Sequence, residues 1–159
     1  MLSEKDNEII RHLRGNARAK IVGLSKKLNL PVTTLYSKLR RYEQKLIKKH
    51  TSLIDFTQLG YFKSVYLVLK ANGSKKQELR DYLTQHSSVN SLFRINYGYD
   101  YLVECIFHDE KEVTDFLGKL QEEFGSEVHM HNVIEEIKRE EFMAHQDEKE
   151  HDSSERGGT

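Results

Sequence analysis

The sequence predicts an α+β chain of two modules, three helices followed by a βαββαβ unit. Three observations carry this. Charge divides sharply near residue 60. The first 50 residues repeat apolar side chains at spacings of three and four. From Phe62 onward, strand-like runs alternate with two amphipathic runs.

The chain has 159 residues, enough for one ordinary domain or two small ones. Apolar residues make up 37% and charged residues 31%, and no apolar run approaches the length that spans a bilayer. The N-terminus lacks the apolar stretch of a secretory signal. A single cysteine, Cys105, excludes an internal disulfide framework and a Cys-rich zinc site. A reducing, cytoplasmic home without membrane attachment is therefore expected. The net charge of zero conceals two opposite blocks. Residues 1–60 hold 13 Lys/Arg against 5 Asp/Glu, a net +8, and residues 61–159 hold 12 against 20, a net −8. The basic block is the candidate for a polyanion.

Ser3 followed by Asp6 is close to a capping box, in which Glu or Gln is usual at the third position. Ile9, Ile10 and Leu13 then form an apolar face, and Gly15-Asn16 should stop the helix. A second short helix carries Ile21, Leu24 and Leu28, with Asn29 suited to end it in the left-handed region. Gly23 inside it should cost about 1 kcal/mol relative to Ala. The third helix places Val32, Leu35, Leu39, Tyr42 and Leu46 on one buried face. Its remaining surface carries Thr33, Thr34, Tyr36, Ser37, Lys38, Arg40 and Arg41. Nine Lys/Arg and one acid, Glu43, lie between Lys20 and Lys49. A polar helix after a short helix and a tight turn is what a DNA major groove accepts. Thr33, Thr34, Ser37 and Arg40 are the expected base-edge contacts, and Lys20, Lys38 and Arg41 the expected phosphate contacts. Tyr36 suits either a groove contact or packing between helices.

In the acidic block, Phe62 to Lys70 reads as a strand and Asn72-Gly73 as a turn. Ser74 and Gln77 form a capping-box pattern before a helix with Leu79, Tyr82 and Leu83 on one face. Val89 to Ile95 alternates as a half-buried strand, and residues 96–100 have turn chemistry. Tyr101 to Phe107 is a third strand. Asp109 and Glu112 open a second helix with Val113, Phe116, Leu117, Leu120 and Phe124 inward, and Gly125 closes it. The last strand is expected from Val128 to about Lys138. This order is the split βαβ pattern of a ferredoxin-like fold. Two helices cover one sheet face only, yet Tyr101, Val103 and Cys105 on one side of the third strand and Leu102 and Ile106 on the other are all apolar. A homodimer joined through sheet faces is the simplest way to cover both. Residues 143–159 lack aliphatic periodicity and read as a disordered, mostly acidic tail.

No Gly-rich phosphate loop, Gly-x-Ser-x-Gly elbow or His-Glu-x-x-His occurs, so no catalytic residue is expected. His129 and His131 share a strand face without a third ligand beside them, so no metal or other cofactor is expected. Cys105, in an apolar strand without a cationic neighbour, reads as core.

With these segments in place the chain resembles the Lrp/AsnC (feast/famine) family of prokaryotic transcriptional regulators. The resemblance runs through Leu2-Ser3-Glu4-Lys5-Asp6, Ile9-Ile10, Gly15-Asn16-Ala17-Arg18, Lys38-Leu39-Arg40-Arg41-Tyr42-Glu43, Leu46-Ile47-Lys48, Leu53-Ile54-Asp55 and Leu59-Gly60. It implies a winged-type helix-turn-helix domain over 1–50, a linker strand over 51–61 and an oligomerisation and effector domain of the RAM type over 62–142. It also implies double-stranded DNA as partner, a homodimer assembling further into tetramers or octamers, and an amino-acid effector. Tyr97, Gly98, Tyr99 and Asp100 match the family's sensor hairpin, with Asp100 either holding an effector ammonium or capping the turn. The chain departs from the family at Lys20, Gly23 and Pro31, and most consequentially at Tyr97, which stands where a glycine is usual. Amino-acid binding is therefore expected to be altered or absent. Two other functions fit part of the pattern. Basic charge suits an architectural protein that coats DNA with little sequence preference. Sirohaem decarboxylases share the two-domain architecture, but the first sheet strand, Phe62 to Val68, lacks their expected Asn/Met/Trp run, and the chain has no Trp.

Overall fold

The computed structural model describes residues 2–144. Among these, one compact unit comprises positions 2–52 with 137–144, and a second comprises Leu53–Glu136. The acidic tail expected over 143–159 lies outside the described residues from position 145 on.

The first unit holds helices α1 (Glu4–Gly15), α2 (Ile21–Lys27) and α3 (Val32–Lys45). Serine and aspartate close the α1 capping box fully. Asp6 N–H donates to Ser3 Oγ at 3.2 Å, and Ser3 N–H donates to Asp6 Oδ2 at 2.9 Å. Aspartate serves because Asp6 is also drawn inward by other partners, described below. Asn29 takes the left-handed conformation after α2, at φ 49°. Neither Lys20 nor Pro31 gives its helix a side-chain cap, and a Ser or Thr there would contribute about 1 kcal/mol each. The core is small: Ile9, Leu24, Leu35 and Tyr42 are buried, with Leu13, Leu28 and Leu39 packed around them. After Leu46 the chain carries no helix or strand as far as Asp55. Residues 137–144 belong to this unit through Arg14. Its guanidinium donates to the carbonyls of Glu140 at 2.7 Å and Phe142 at 3.1 Å, and pairs with the Glu140 carboxylate at 3.0 Å.

The second unit is a four-stranded antiparallel sheet, β1 (Lys63–Lys70), β2 (Val89–Arg94), β3 (Tyr101–Phe107) and β4 (Glu127–Asn132), in the order β2-β3-β1-β4. Helices α4 (Lys76–Gln85) and α5 (Glu110–Glu122) complete the βαββαβ order. Period-two alternation sets the faces. Val65, Leu67, Leu69, Val103, Cys105 and Phe107 form the core with Leu79, Leu83, Val113 and Leu120 of the helices. Gly125, at φ 59°, ends the α5 region as a left-handed residue.

Three local expectations are corrected here. The Ser74/Gln77 capping box does not form. A 3-10 turn over Gly73–Lys75 precedes α4, Ser74 Oγ turns to Asn72 Oδ1 and Gln77 to Asp81. Residues 51–61 form no ladder within the chain. Asp55 accepts from Thr57 N–H, Phe56–Leu59 coils as a 3-10 turn, and Gly60 closes it at φ 88°. The last strand ends at Asn132 rather than near Lys138. One further bond, Val133 N–H to Ser64 O at 2.9 Å, follows before β1 runs out of residues to pair. Among the described residues no helix is long and apolar enough to cross a membrane.

The sheet face away from the helices presents Tyr66, Val68, Phe93, Leu102 and Ile106, placed side by side by the registers Val68↔Leu102↔Phe93 and Ser64↔Ile106. Its apolar pattern was legible; the acid at its centre was not. Glu104 is 3% exposed and accepts from Asn90 Nδ2 at 2.7 Å and Ser91 Oγ at 2.6 Å. A register shift between Val89 and Ser91 re-aims β2 so that both donors reach it.

Candidate nucleic-acid interface

Helix α3 owes its amphipathicity to Leu35 and Tyr42, which are buried, while Thr33, Thr34, Tyr36, Ser37, Arg40 and Arg41 are exposed. Tyr36 is 60% exposed, so its ring lies on the outer surface. The polar surface is thus presented by a helix fixed from behind by the small core. Thr33, Ser37 and Arg40 fall one turn apart along one line. Ser37 Oγ donates to Thr33 O at 3.0 Å, a local back-bond that leaves the hydroxyl's acceptor lone pairs outward. Lys20 is exposed at the start of α2. Among the described residues Arg40 makes no ion pair.

Lys38 differs from its neighbours. Its ammonium sits against Asp6 Oδ1 at 2.5 Å, and its side chain is only 24% exposed. The expected phosphate contact is therefore engaged inside the unit. The Tyr42 hydroxyl donates to the same oxygen, and Arg41 Nη2 stands 3.7 Å from it. Hydrogen bonds from Lys38, Tyr42 and Ser3 hold the Asp6 carboxyl well below the usual carboxylate range. Burial, and then Asp6 itself, push the Tyr42 phenol up to about 12. Nothing in the spacing of residues 6 and 38 announces this contact, because it depends on how α1 crosses α3.

The hairpin between β2 and β3 holds Tyr97, Gly98, Tyr99 and Asp100. Tyr97 and Gly98 both have positive φ, 57° and 89°, the conformation of a type I′ turn. A tyrosine there is sterically costly, whereas Gly98 is not. The Tyr97 ring points into solvent at 93% exposure, so it neither narrows nor fills a cavity in this chain. Tyr99 meets the His129 ring edge-on, its hydroxyl 3.5 Å from Nε2. Asp100 turns inward. One carboxylate oxygen accepts from Ala71 N–H at 2.9 Å and the other from the Lys76 ammonium. Those two donors, Lys76 first, lower its pKa. The Asp100 carboxylate is thus already paired with an ammonium, that of Lys76. A neighbouring groove of about 790 Å³ runs beside α4 and β2, with Lys76, Arg80 and Arg94 among its lining, and none of the four hairpin residues lines it.

His129 and His131 lie on the open sheet face, and the described residues contain no cluster of three or more His, Cys, Asp or Glu that could hold a metal. Cys105 is fully buried, and burial pushes its thiol up to about 12, which suits packing rather than nucleophilic chemistry.

No family model matches the chain. It is similar to an uncharacterised HTH-type transcriptional regulator of Pyrococcus abyssi, 25% identical over 143 residues that cover 89% of this chain and 97% of the relative. The HTH-type transcriptional regulator FL11 of Pyrococcus horikoshii is 27% identical over 117 residues, 73% of this chain and 78% of that one. The proline dehydrogenase transcriptional activator of Rhodobacter capsulatus is 24% identical over 75% of this chain and 80% of its own length. Among solved structures, Bacillus subtilis LrpC superposes with a TM-score of 0.79 at 21% identity, over 87% of this chain and 98% of that one. The Neisseria meningitidis regulator NMB0573, solved with L-Met, superposes at 0.80 with 18% identity, over 87% and 94%. Over most of its length the chain is thus similar to HTH-type transcriptional regulators, and it shares the two-unit fold of solved Lrp/AsnC regulators.

Proposed function

We propose that this protein regulates transcription by binding double-stranded DNA in the cytoplasm, with α3 entering the major groove. The observation that carries the reading is the outer surface of α3. Thr33, Thr34, Ser37 and Arg40 are exposed together on a helix whose opposite face is locked by Leu35 and Tyr42. Arg40 supplies a guanidinium able to grip a guanine edge, and the threonine and serine hydroxyls suit either base edges or phosphates. Arg41 and Lys20 suit phosphates. Residues 1–50 are assigned to DNA and the sheet unit within 62–142 to self-association. Two copies facing each other through Tyr66, Val68, Phe93, Leu102 and Ile106 cover the open sheet face and present two reading helices to a two-fold symmetric operator. Tetramers or octamers of such dimers follow the same family pattern. The protein acts by binding rather than catalysis, in keeping with relatives that are transcriptional regulators.

The test is fluorescence anisotropy with duplex from upstream of the protein's own gene and a shuffled duplex of equal composition, at low and near-physiological salt. A preference of at least about a thousandfold is expected. Equal, salt-sensitive binding to both would instead mark an architectural coat. Arg40→Ala should cost about 1–3 kcal/mol on the specific duplex and relax preference at one base position. An equal loss on both duplexes would place Arg40 on the phosphate backbone.

The effector reading follows from Asp100. Because Lys76 and the Ala71 amide already occupy both carboxylate oxygens, ordinary amino acids are expected to give no binding heat in calorimetry. Micromolar binding of any of them, abolished by Asp100→Asn, would overturn this.

A further inference from the structure

We propose that Asp6 is a positioning residue for DNA recognition: it commits Lys38 to the fold, shares Arg41 with the DNA, and leaves Arg40 as the free cation among the three at 38–41. The inference rests on the DNA-binding reading and deepens it, because it says which cations of α3 meet phosphate.

Asp6 stands on α1, yet its carboxylate reaches the middle of α3. Its side chain is 7% exposed, and Oδ1 meets Lys38 Nζ at 2.5 Å, the Tyr42 hydroxyl, and Arg41 Nη2 at 3.7 Å. Oδ2 accepts from Ser3 N–H and Ser3 Oγ at 2.9 and 2.8 Å. The carboxylate thus ties the start of α1 to two successive turns of α3, and it does so where water has little access.

The three cations of this stretch stand differently toward it. Lys38 is mostly buried on a buried anion. Drawing its ammonium out to a phosphate would leave Asp6 facing Tyr42 with its main counter-charge gone, which is strongly unfavourable. Arg41 is 55% exposed, its approach to Asp6 is longer than a hydrogen bond, and its guanidinium also lies 5.7 Å from the Tyr42 ring centroid. Five N–H donors in a planar fork let it keep this contact and still take a phosphate. Arg40, exposed and without an ion pair among the described residues, is free to reach outward. Asp6 therefore acts as an internal stand-in for a phosphate. It lowers the number of counterions that DNA binding releases and sets the rotation of α3 from which Arg40 projects.

Salt dependence of binding reads this directly, since each neutralised phosphate adds about 0.9 to the slope of log K against log salt. A random-sequence duplex serves as the probe, because the slope counts phosphates rather than bases. Lys38→Met should leave the slope of the full-length protein unchanged while lowering its Tm. Arg41→Met should reduce the slope by about 0.9. Asp6→Asn added to Lys38→Met should lower Tm by less than the sum of the two single changes, because the pair is lost together. A slope reduced by about 0.9 in Lys38→Met would overturn the assignment. If Lys38→Met alone does not fold, the Asp6→Asn/Lys38→Met pair reads the same slope. Absence of any DNA binding by the unmodified protein would defeat the DNA reading. The thermal measurement still decides the clamp in that case, with additive Tm losses counting against it.

Discussion

Leu35→Ala is expected to unfold the helix-turn-helix unit and abolish DNA binding while the sheet unit stays folded. Leu35 is fully buried, and among the described residues only Ile9, Leu24 and Tyr42 share its core at comparable depth. Truncating a buried leucine costs about 2–5 kcal/mol, part of it for the cavity left behind. A unit of this size has roughly 0.05–0.15 kcal/mol per residue of net stability, so one such loss is comparable to the whole. Neighbours cannot collapse far into the gap, because Leu24 is fixed by its short helix and Tyr42 by its bond to Asp6. Calorimetry should show the helical transition shifted to low temperature beside an unaltered sheet transition, whose core of Leu67, Val103 and Leu120 is separate. Survival of full helicity and DNA affinity at 37 °C would refute the claim that these four residues hold the reading helix.

Leu102→Lys is expected to convert the protein to monomers without unfolding it. Leu102 lies on the open face of β3, between Val68 and Phe93 in register, and Phe93 is 54% exposed in the single chain. The helix-side core does not contact this face, so the lysine costs the isolated chain little. In a two-fold interface the same substitution occurs twice, and burying two like charges without partners is strongly unfavourable. Sedimentation velocity should report the mass of one chain. Affinity for a two-half-site duplex should fall by about 10²–10⁴, the avidity of linked sites. A variant that remains dimeric would show that copies associate through another surface.

Most of the fold was legible because each element rests on a local rule. The spacing of Val32, Leu35, Leu39 and Tyr42 marks α3, and alternation from Tyr101 to Phe107 marks β3. Asn29 and Gly125 end their helices as left-handed residues. Where two local rules compete, the sequence reading was weaker. Ser74 and Gln77 satisfy a capping pattern, but the chain tightens into a 3-10 turn over Gly73–Lys75 and spends both side chains elsewhere. The linker strand that the resemblance implied over 51–61 gives way to a 3-10 turn over Phe56–Leu59, which Asp55 caps and Gly60 closes.

The charge division, the two modules and the polar surface of α3 were determined by the sequence alone, because composition and periodicity are properties of neighbours along the chain. The partners of Asp6, Asp100 and Glu104 were decided only by tertiary structure. Lys38 lies 32 residues from Asp6 and Lys76 lies 24 from Asp100, and the β2 irregularity turns Asn90 and Ser91 onto Glu104. Each carboxylate sits where desolvation demands a partner, and the donor that answers is whichever one the packing of helices and strands brings within reach. That is why Lys38, which the sequence marks as a phosphate contact, pairs within the fold, while Arg40, two residues on, stays exposed.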